Sequence, residues 1–214
     1  RVRGYVRQPH VNPPSRGGKL DVGRAVGQHG HLYVTRDLGM GEPYTGQAPL
    51  QSGEIGDDLA YYYLVSEQQP AAIGLGVLIE TDNSVAAAGG YIIQPLTGAS
   101  DEVISHLEQN ILNAPRPSDL ILSLRDPAKV LDVLLAGMDW QELERSTPRF
   151  HCGCTKAKSR HALTALSLHD LQEMIAADEP ARVTCDFCAK AFEFSPEVLR
   201  TLLEQKQRET KKRA

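Results

Sequence analysis

The hydrophobic pattern of the first half of the chain predicts strands and one helix. His31 to Leu38 alternates and carries β-branched and aromatic residues, which predicts a strand. Residues 44–52 form a partner strand near an edge or bulge, because a proline interrupts them. Residues 54–68 place apolar side chains on one helical face, with two acidic residues in the first turn. Two apolar runs, 71–80 and 85–96, flank a Thr-Asp-Asn-Ser turn and predict a hairpin. This half is therefore predicted to be α+β, built on an antiparallel sheet.

A helical period follows residue 100. Ser100 is predicted to cap a helix in which apolar residues recur at helical spacing up to Ile111, before two prolines end it. A second helical segment begins near Ser118 and, after Asp126-Pro127, continues to Gly137. This connector is unusually aliphatic for a link between two domains. Its helices are therefore expected to pack on the sheet in the resting protein.

The last segment, from about Pro148, is predicted to be a small separate module. Two short helices, 156–166 and 168–177, carry aliphatic residues that face a small core. Ser195 is predicted to cap a terminal helix with Pro196 in its first position. A module this small buries little apolar surface, so a bound metal should supply much of its stability. The predicted division is an α+β core domain at 1–99, a helical linker at 100–147 and a metal-binding domain at 148–214.

All four cysteines fall in two tight pairs, Cys152-Gly153-Cys154 and Cys185-Asp186-Phe187-Cys188. A turn of one or two residues brings both sulfurs of a pair to the same side, and two such pairs complete the tetrahedral four-sulfur shell that Zn²⁺ prefers. The sequence therefore predicts one Zn²⁺ per chain, bound by Cys152, Cys154, Cys185 and Cys188. Three histidines are weaker candidates, since four sulfurs already saturate zinc: His151, His161 and His169.

The residues around the cysteines favour metal binding over the other uses of cysteine. Close pairs flanked by His151, Lys156 and Asp186 do not resemble a core stripe. Four cysteines are too sparse for a secreted disulfide framework in a chain of this length. A thioredoxin-like motif needs a helix that opens at the cysteines, whereas residues 181–184 and 191–194 flank this turn and predict a hairpin knuckle.

Composition narrows the class of protein. The net charge of −4 argues against a general nucleic-acid binder, although residues 206–213 are locally basic. No stretch approaches the ~20 apolar residues that cross a bilayer, and we expect no membrane partner. Paired thiols without a signal peptide suit the cytoplasm. No Ser/His/Asp set, phosphate loop or carboxylate pair stands out, so we expect no enzyme turnover.

Together these features resemble the redox-regulated thirty-three-kilodalton heat-shock holdase family. The resemblance covers nearly the whole chain, and its residues are the 150–154 and 185–188 motifs with the segments 17–22, 52–59 and 88–94. Family members carry a further N-terminal portion that this chain lacks. The abrupt start at Arg1, with a strand predicted to be already under way over residues 1–6, agrees with that difference. The first domain is therefore expected to be incomplete.

The resemblance implies ATP-independent binding of unfolding proteins, switched on by oxidants. It implies that the reduced cysteines hold zinc. It further implies that oxidation pairs Cys152 with Cys154 and Cys185 with Cys188, releases the metal and unfolds the module and the linker. A homodimer is left open, particularly for the oxidised protein. Loss of the module would expose the aliphatic connector, whose expected client-binding residues are Leu120, Ile121, Leu124, Leu131, Leu134 and Leu135.

Two other classes compete with this interpretation. A zinc-ribbon adaptor for nucleic acid or protein would use a purely structural zinc, and it predicts a basic surface studded with aromatic residues. A thiol oxidoreductase predicts one exposed C-x-x-C and leaves the C-x-C pair unexplained. Light scattering from an unfolding client distinguishes them from a holdase.

Overall fold

The chain divides into two units. The structure is a computed structural model and describes residues 1–11, 15–16, 19–39 and 41–213. The larger unit is His10–Glu144, and the smaller unit joins Arg1–Pro9 to Arg145–Ala214. Helices accompany antiparallel two-stranded sheets, which confirms the predicted α+β class. The functional division into core, linker and metal-binding domain stays a prediction.

The first part of the larger unit is a hairpin with a helix packed on it. The predicted strand at 31–38 ends earlier, at Arg36, and pairs antiparallel with its predicted partner. The following helix buries Tyr62 and Asp58. The Asp58 carboxylate accepts hydrogen bonds from the backbone N–H groups of Gln51 (2.6 Å) and Ser52 (3.2 Å), which fixes the loop before the helix. The elements are β1 (Ser15–Arg16), β2 (Lys19–Leu20), α1 (Val22–Val26), β3 (His31–Arg36), β4 (Tyr44–Pro49) and α2 (Ile55–Val65).

The second part of the larger unit is the predicted hairpin followed by three helices. Its elements are β5 (Ala72–Ile79), β6 (Val85–Ile93), α3 (Asp101–Asn113), α4 (Pro117–Leu124) and α5 (Pro127–Leu134). Ser100 caps α3 as predicted, because its hydroxyl accepts from the N–H of Val103. The segment after Ser118 is divided in two: Arg125 ends α4 in the left-handed conformation, and Asp126 then caps α5.

Helix α4 lies against the β5–β6 hairpin, as expected for the resting protein. The approach is close because the hairpin presents glycines there. A Cβ atom on Gly76 would lie 2.3 Å from the backbone nitrogen of Ser118, and one on Gly89 would lie 2.9 Å from Cδ1 of Ile121. Glycine therefore makes room for the first turns of α4.

The smaller unit has its own apolar core. Its elements are α6 (Lys156–Leu163), α7 (Leu168–Ala176), β7 (Ala181–Thr184), β8 (Ala191–Phe194) and α8 (Pro196–Arg213). Leu163, Leu171 and Phe194 meet two leucines of α8 in one buried cluster. The expectation of a strand over residues 1–6 is wrong for the described chain: Val2 alone forms a parallel bridge there, and its partner is Phe150. Within the described ranges, no helix is long and apolar enough to cross a membrane.

Candidate metal centre

The two cysteine pairs converge on one point. Their four Sγ atoms all lie within 4.8 Å of one another. The distance from Cys152 Sγ to Cys185 Sγ is 3.6 Å, and that from Cys154 Sγ to Cys188 Sγ is 3.5 Å. Tetrahedral Zn²⁺ with bonds of about 2.3 Å to sulfur would set neighbouring sulfurs about 3.8 Å apart. All four are free thiols, so the group is positioned to bind a metal ion.

The first pair is held by the start of α6. The Thr155 side chain caps this helix by accepting from the backbone N–H of Lys158 at 3.2 Å. The ammonium group of Lys158 reaches back to the carbonyl oxygen of Gly153 at 3.1 Å. Cap and lysine together fix the turn that carries Cys152 and Cys154. The Lys158 ammonium group also brings a positive charge to the same turn.

The second pair sits in the turn between β7 and β8. Cys185 donates its backbone N–H to the carbonyl of Lys190 at 3.0 Å, and Ala189 donates to the carbonyl of Cys185 at 2.8 Å. Ala189 adopts a left-handed conformation with φ of 56°, which lets the chain turn back into β8. The hairpin knuckle predicted from the flanking residues is confirmed.

The thiols differ in acidity although they are close together. A hydrogen bond from the backbone of Cys154 lowers the pKa of the Cys152 thiol to about 6. The neighbouring sulfur of Cys188 is the main cause that raises the pKa of the Cys154 thiol to about 12. One thiolate therefore forms readily, while a second negative charge in the cluster is opposed. A bound cation would remove that opposition and hold the sulfurs as thiolates.

The other predicted site residues lie apart from this cluster. The metal-binding group comprises cysteines alone among the described residues, so none of the three histidines joins it. His151 is exposed, and Nδ1 of His169 lies 3.7 Å from Oε1 of Glu173. The expected client-binding residues belong to α4, α5 and the residue after α5, in the larger unit. Leu120 and Leu134 are buried there, and the other four are half-buried.

Sequence reasoning missed the surroundings of Phe187. This ring stands between Cys185 and Cys188 in the second turn. The Tyr5 ring meets it edge-on with centroids 5.0 Å apart, and the guanidinium carbon of Arg3 lies 4.3 Å from its centroid. An aromatic residue inside a metal-binding turn was the available signal, but its partners are about 180 residues away in the sequence.

Comparison with known proteins relates most of the chain to one family. The sequence model of the Hsp33 protein family matches residues 1–195. The 33 kDa chaperonin of Halalkalibacterium halodurans is 42% identical over 205 residues, which cover 95% of this chain and 70% of that protein. The 33 kDa chaperonin of Limosilactobacillus fermentum is 44% identical over 207 residues, covering 96% and 71%.

A solved structure is also similar to this chain. The crystal structure of the 33 kDa chaperonin (heat shock protein 33 homolog) of Thermotoga maritima superimposes with a TM-score of 0.81 at 38% identity. The match covers 95% of this chain and 69% of that one. These names support a chaperone function. The chain, which spans about 70% of the length of these relatives, belongs to the Hsp33 protein family.

Proposed function

We propose that this protein is a redox-regulated, ATP-independent holdase, which binds unfolding proteins after its four-cysteine zinc centre is oxidised. One observation carries the proposal: four free sulfurs from two distant turns converge within 4.8 Å in a member of a chaperonin family. Such a group can exist in two chemical states, four thiolates or two disulfides. Only the first can hold the two turns to one metal ion.

In the reduced state Cys152, Cys154, Cys185 and Cys188 bind one Zn²⁺ per chain. An all-sulfur set of four, at distances that suit a tetrahedron, favours zinc over the harder cations. A closed four-ligand set leaves no open position, so the role of the metal is structural. Bound zinc contributes folding free energy on the order of 10 kcal/mol. The buried core of the smaller unit consists of only a few side chains, so this contribution is large by comparison.

Oxidation converts each pair of thiolates into a disulfide. With peroxide, one thiolate attacks an oxygen and becomes a sulfenic acid, and the second then attacks that sulfur and expels water. In balance, two thiolates, one peroxide and two protons give one disulfide and two waters. We infer that Cys152 pairs with Cys154 and Cys185 with Cys188. Neutral disulfide sulfurs are poor ligands, so two such bonds abolish the four-thiolate set and destabilise the smaller unit.

The client-binding surface then comes from the linker. Its proposed residues are Leu120, Ile121, Leu124, Leu131, Leu134 and Leu135. In the reduced protein α4 covers part of the hairpin with this surface. The chain enters the smaller unit at Arg145, eight residues after Gly137. When that unit loosens, the linker loses its anchor at this end, and its apolar faces become available to unfolding chains.

The partners that follow are unfolding client proteins, with no nucleic acid or membrane among them. Self-association of the oxidised form into a homodimer is part of the same proposal, because exposed apolar faces can also pair with each other. A reducing compartment such as the cytoplasm keeps the four thiols available for zinc.

Light scattering from a chemically unfolded client tests this function. We expect the reduced, zinc-loaded protein to leave aggregation unchanged and the peroxide-treated protein to suppress it at stoichiometric amounts. Treatment of the oxidised sample with a thiol reductant and zinc is the control, and it should restore the inactive state. An adaptor with a purely structural zinc would be inert in both states, and that result would overturn the proposal.

A further inference from the structure

The segment Arg1–Pro9 contacts the first cysteine turn through its backbone. The N–H of Val2 donates to the carbonyl of Arg149 at 2.9 Å, and the N–H of His151 donates to the carbonyl of Val2 at 3.0 Å. These two bonds form the parallel bridge opposite Phe150. His151 directly precedes Cys152, so the bridge fixes the chain where it enters the first turn.

The same segment contacts the second turn through two side chains. The Arg3 guanidinium carbon lies 4.3 Å from the centre of the Phe187 ring, within the range of a cation–π interaction. The Tyr5 ring meets Phe187 at 84° with centroids 5.0 Å apart, the edge-to-face arrangement that aromatic pairs prefer. Arg3 and Tyr5 are two positions apart, the spacing that puts side chains on one side of an extended chain. Phe187 itself lies between the ligands Cys185 and Cys188.

We propose that Val2, Arg3, Tyr5 and Phe187 form a clasp, a set of positioning residues that holds the two cysteine turns together for metal binding. The inference rests on the proposed function, because it assigns these residues to the same zinc centre. None of them is a metal ligand. One short segment bridges to the chain beside Cys152 and stacks on the ring beside Cys188, so its docking favours the arrangement in which the four sulfurs converge.

Coupling of this kind acts in both directions. If the docked segment strengthens zinc binding by some factor, bound zinc strengthens docking by the same factor. Oxidation therefore loosens the clasp. Once the two turns no longer share a metal ion, the chain beside Cys152 and the Phe187 ring need not stay close enough for one segment to contact both. Residues 1–9 continue directly into the larger unit at His10. The zinc centre thus has a second covalent connection to that unit, in addition to the one at Arg145.

Zinc affinity of the 214-residue chain, measured by competition with a chelator, tests the clasp. The clasp variant carries Arg3→Ala with Tyr5→Ala. Its matched control carries Arg1→Ala with Val6→Ala, which removes one charge and one apolar side chain from the same segment. We expect the clasp variant to bind zinc about threefold to tenfold more weakly and the control to match the wild type. Phe187→Leu, which keeps apolar bulk but loses the ring face, should reproduce the clasp variant.

Hydrogen exchange at the His151 amide provides the second readout. This amide donates to Val2, so it should exchange faster in the clasp variant while zinc is still bound. If the clasp variant keeps wild-type zinc affinity and wild-type protection of the His151 amide, the inference is overturned, while the proposed zinc centre is unaffected. Equal weakening in the control variant would also overturn it, because the effect would then not belong to the ring contacts. A wild-type chain that binds no zinc would overturn the inference and the proposed function together.

Discussion

The side-chain amide of Asn110 donates a hydrogen bond of 2.8 Å to the backbone carbonyl of Ala136. Nε2 of His106 lies 2.9 Å from the same oxygen. Both side chains belong to α3, whereas Ala136 follows the end of α5, where helix carbonyls lack partners within the helix. The two contacts tie the chain after α5 to α3, so they join the two ends of the helical part of the linker. They therefore belong to the set of interactions that keeps the linker packed in the reduced protein.

Asn110→Ala should loosen that end of the linker. One hydrogen bond of this kind is worth about 0.5–1.5 kcal/mol, so α5 amides should exchange up to roughly tenfold faster. Gln109→Ala is the control, because the Gln109 side chain is exposed on the same helix and makes no hydrogen bond within the described residues. Zinc content should stay unchanged in both variants. Exchange in α5 that is equal in the two variants would contradict a restraining role for Asn110.

Gly76→Ala should force α4 away from the hairpin. The added Cβ would meet the backbone of Ser118 at 2.3 Å, and backbone cannot move aside as a flexible side chain can. Overpacking of this kind costs about 1–3 kcal/mol. We therefore expect a lower free energy of unfolding for the larger unit and partial holdase activity without oxidation.

Gly56→Ala is the matched substitution in the same unit. Its Cβ would meet only an ordinary contact at 3.5 Å, inside helix α2, where alanine is favoured over glycine. This variant should be as stable as the wild type or slightly more so, and inactive when reduced. If the Gly76→Ala and Gly56→Ala variants have the same stability in chemical denaturation and the same effect on client aggregation, close packing of α4 does not restrain the linker.

Leu131→Ser with Leu135→Ser should reduce client binding after oxidation. Both leucines are half-buried, so they can be changed at less cost than fully buried Leu134. Zinc binding and disulfide formation should remain intact, because both residues lie in the other unit from the cysteines. The control is Leu96→Ser with Leu112→Ser, since these side chains are 82% and 76% exposed and lie outside the proposed surface.

Hydrogen exchange of the reduced variants shows whether either pair of changes loosens the resting state. Wild-type holdase activity in the oxidised Leu131/Leu135 variant, with linker amides still protected, would mean that clients bind elsewhere. The apolar face of the first-half sheets would then be the next surface to examine.

Peptide mapping of the oxidised protein should find disulfides within each pair. In the reduced protein the sulfurs of different turns already lie close together, at 3.6 Å from Cys152 to Cys185 and 3.5 Å from Cys154 to Cys188. Once the turns separate, however, only the partners within a turn remain held close by the chain. Mainly Cys152–Cys185 or Cys154–Cys188 cross-links would mean that oxidation is complete before the turns come apart.

Local signals accounted for most of what the sequence predicted correctly. The hairpin knuckle and the cap at Ser100 each depend on residues within one turn of one another. Cysteine spacing predicted the convergence of the four sulfurs for the same reason. Each short turn brings its own two sulfurs to the same side of the chain. One tetrahedral metal ion needs four sulfurs, so the two turns must lie next to each other.

Contacts between residues that are distant in the sequence account for the differences between the predicted and the observed structure. The sequence predicted one apolar face for residues 54–68, yet Ile55 at the start of α2 is 48% exposed while Asp58 on the same helix is buried. The carboxylate is satisfied by two backbone N–H groups of the preceding loop, which no periodicity of apolar residues could predict. The grouping of residues 1–9 with the cysteine turns depends likewise on Phe187, whose partners are remote in the sequence.

Simultaneous measurement of zinc release and client protection tests the central claim most directly. Reduced, zinc-loaded protein is titrated with peroxide, and each sample is divided between a chelating dye and a client aggregation assay. The account predicts that protection is absent at the start and rises in step with released zinc, up to about two peroxide equivalents per chain, which is the amount that two disulfides consume. Full protection by the zinc-loaded protein, or no protection after all the zinc has been released, would contradict it.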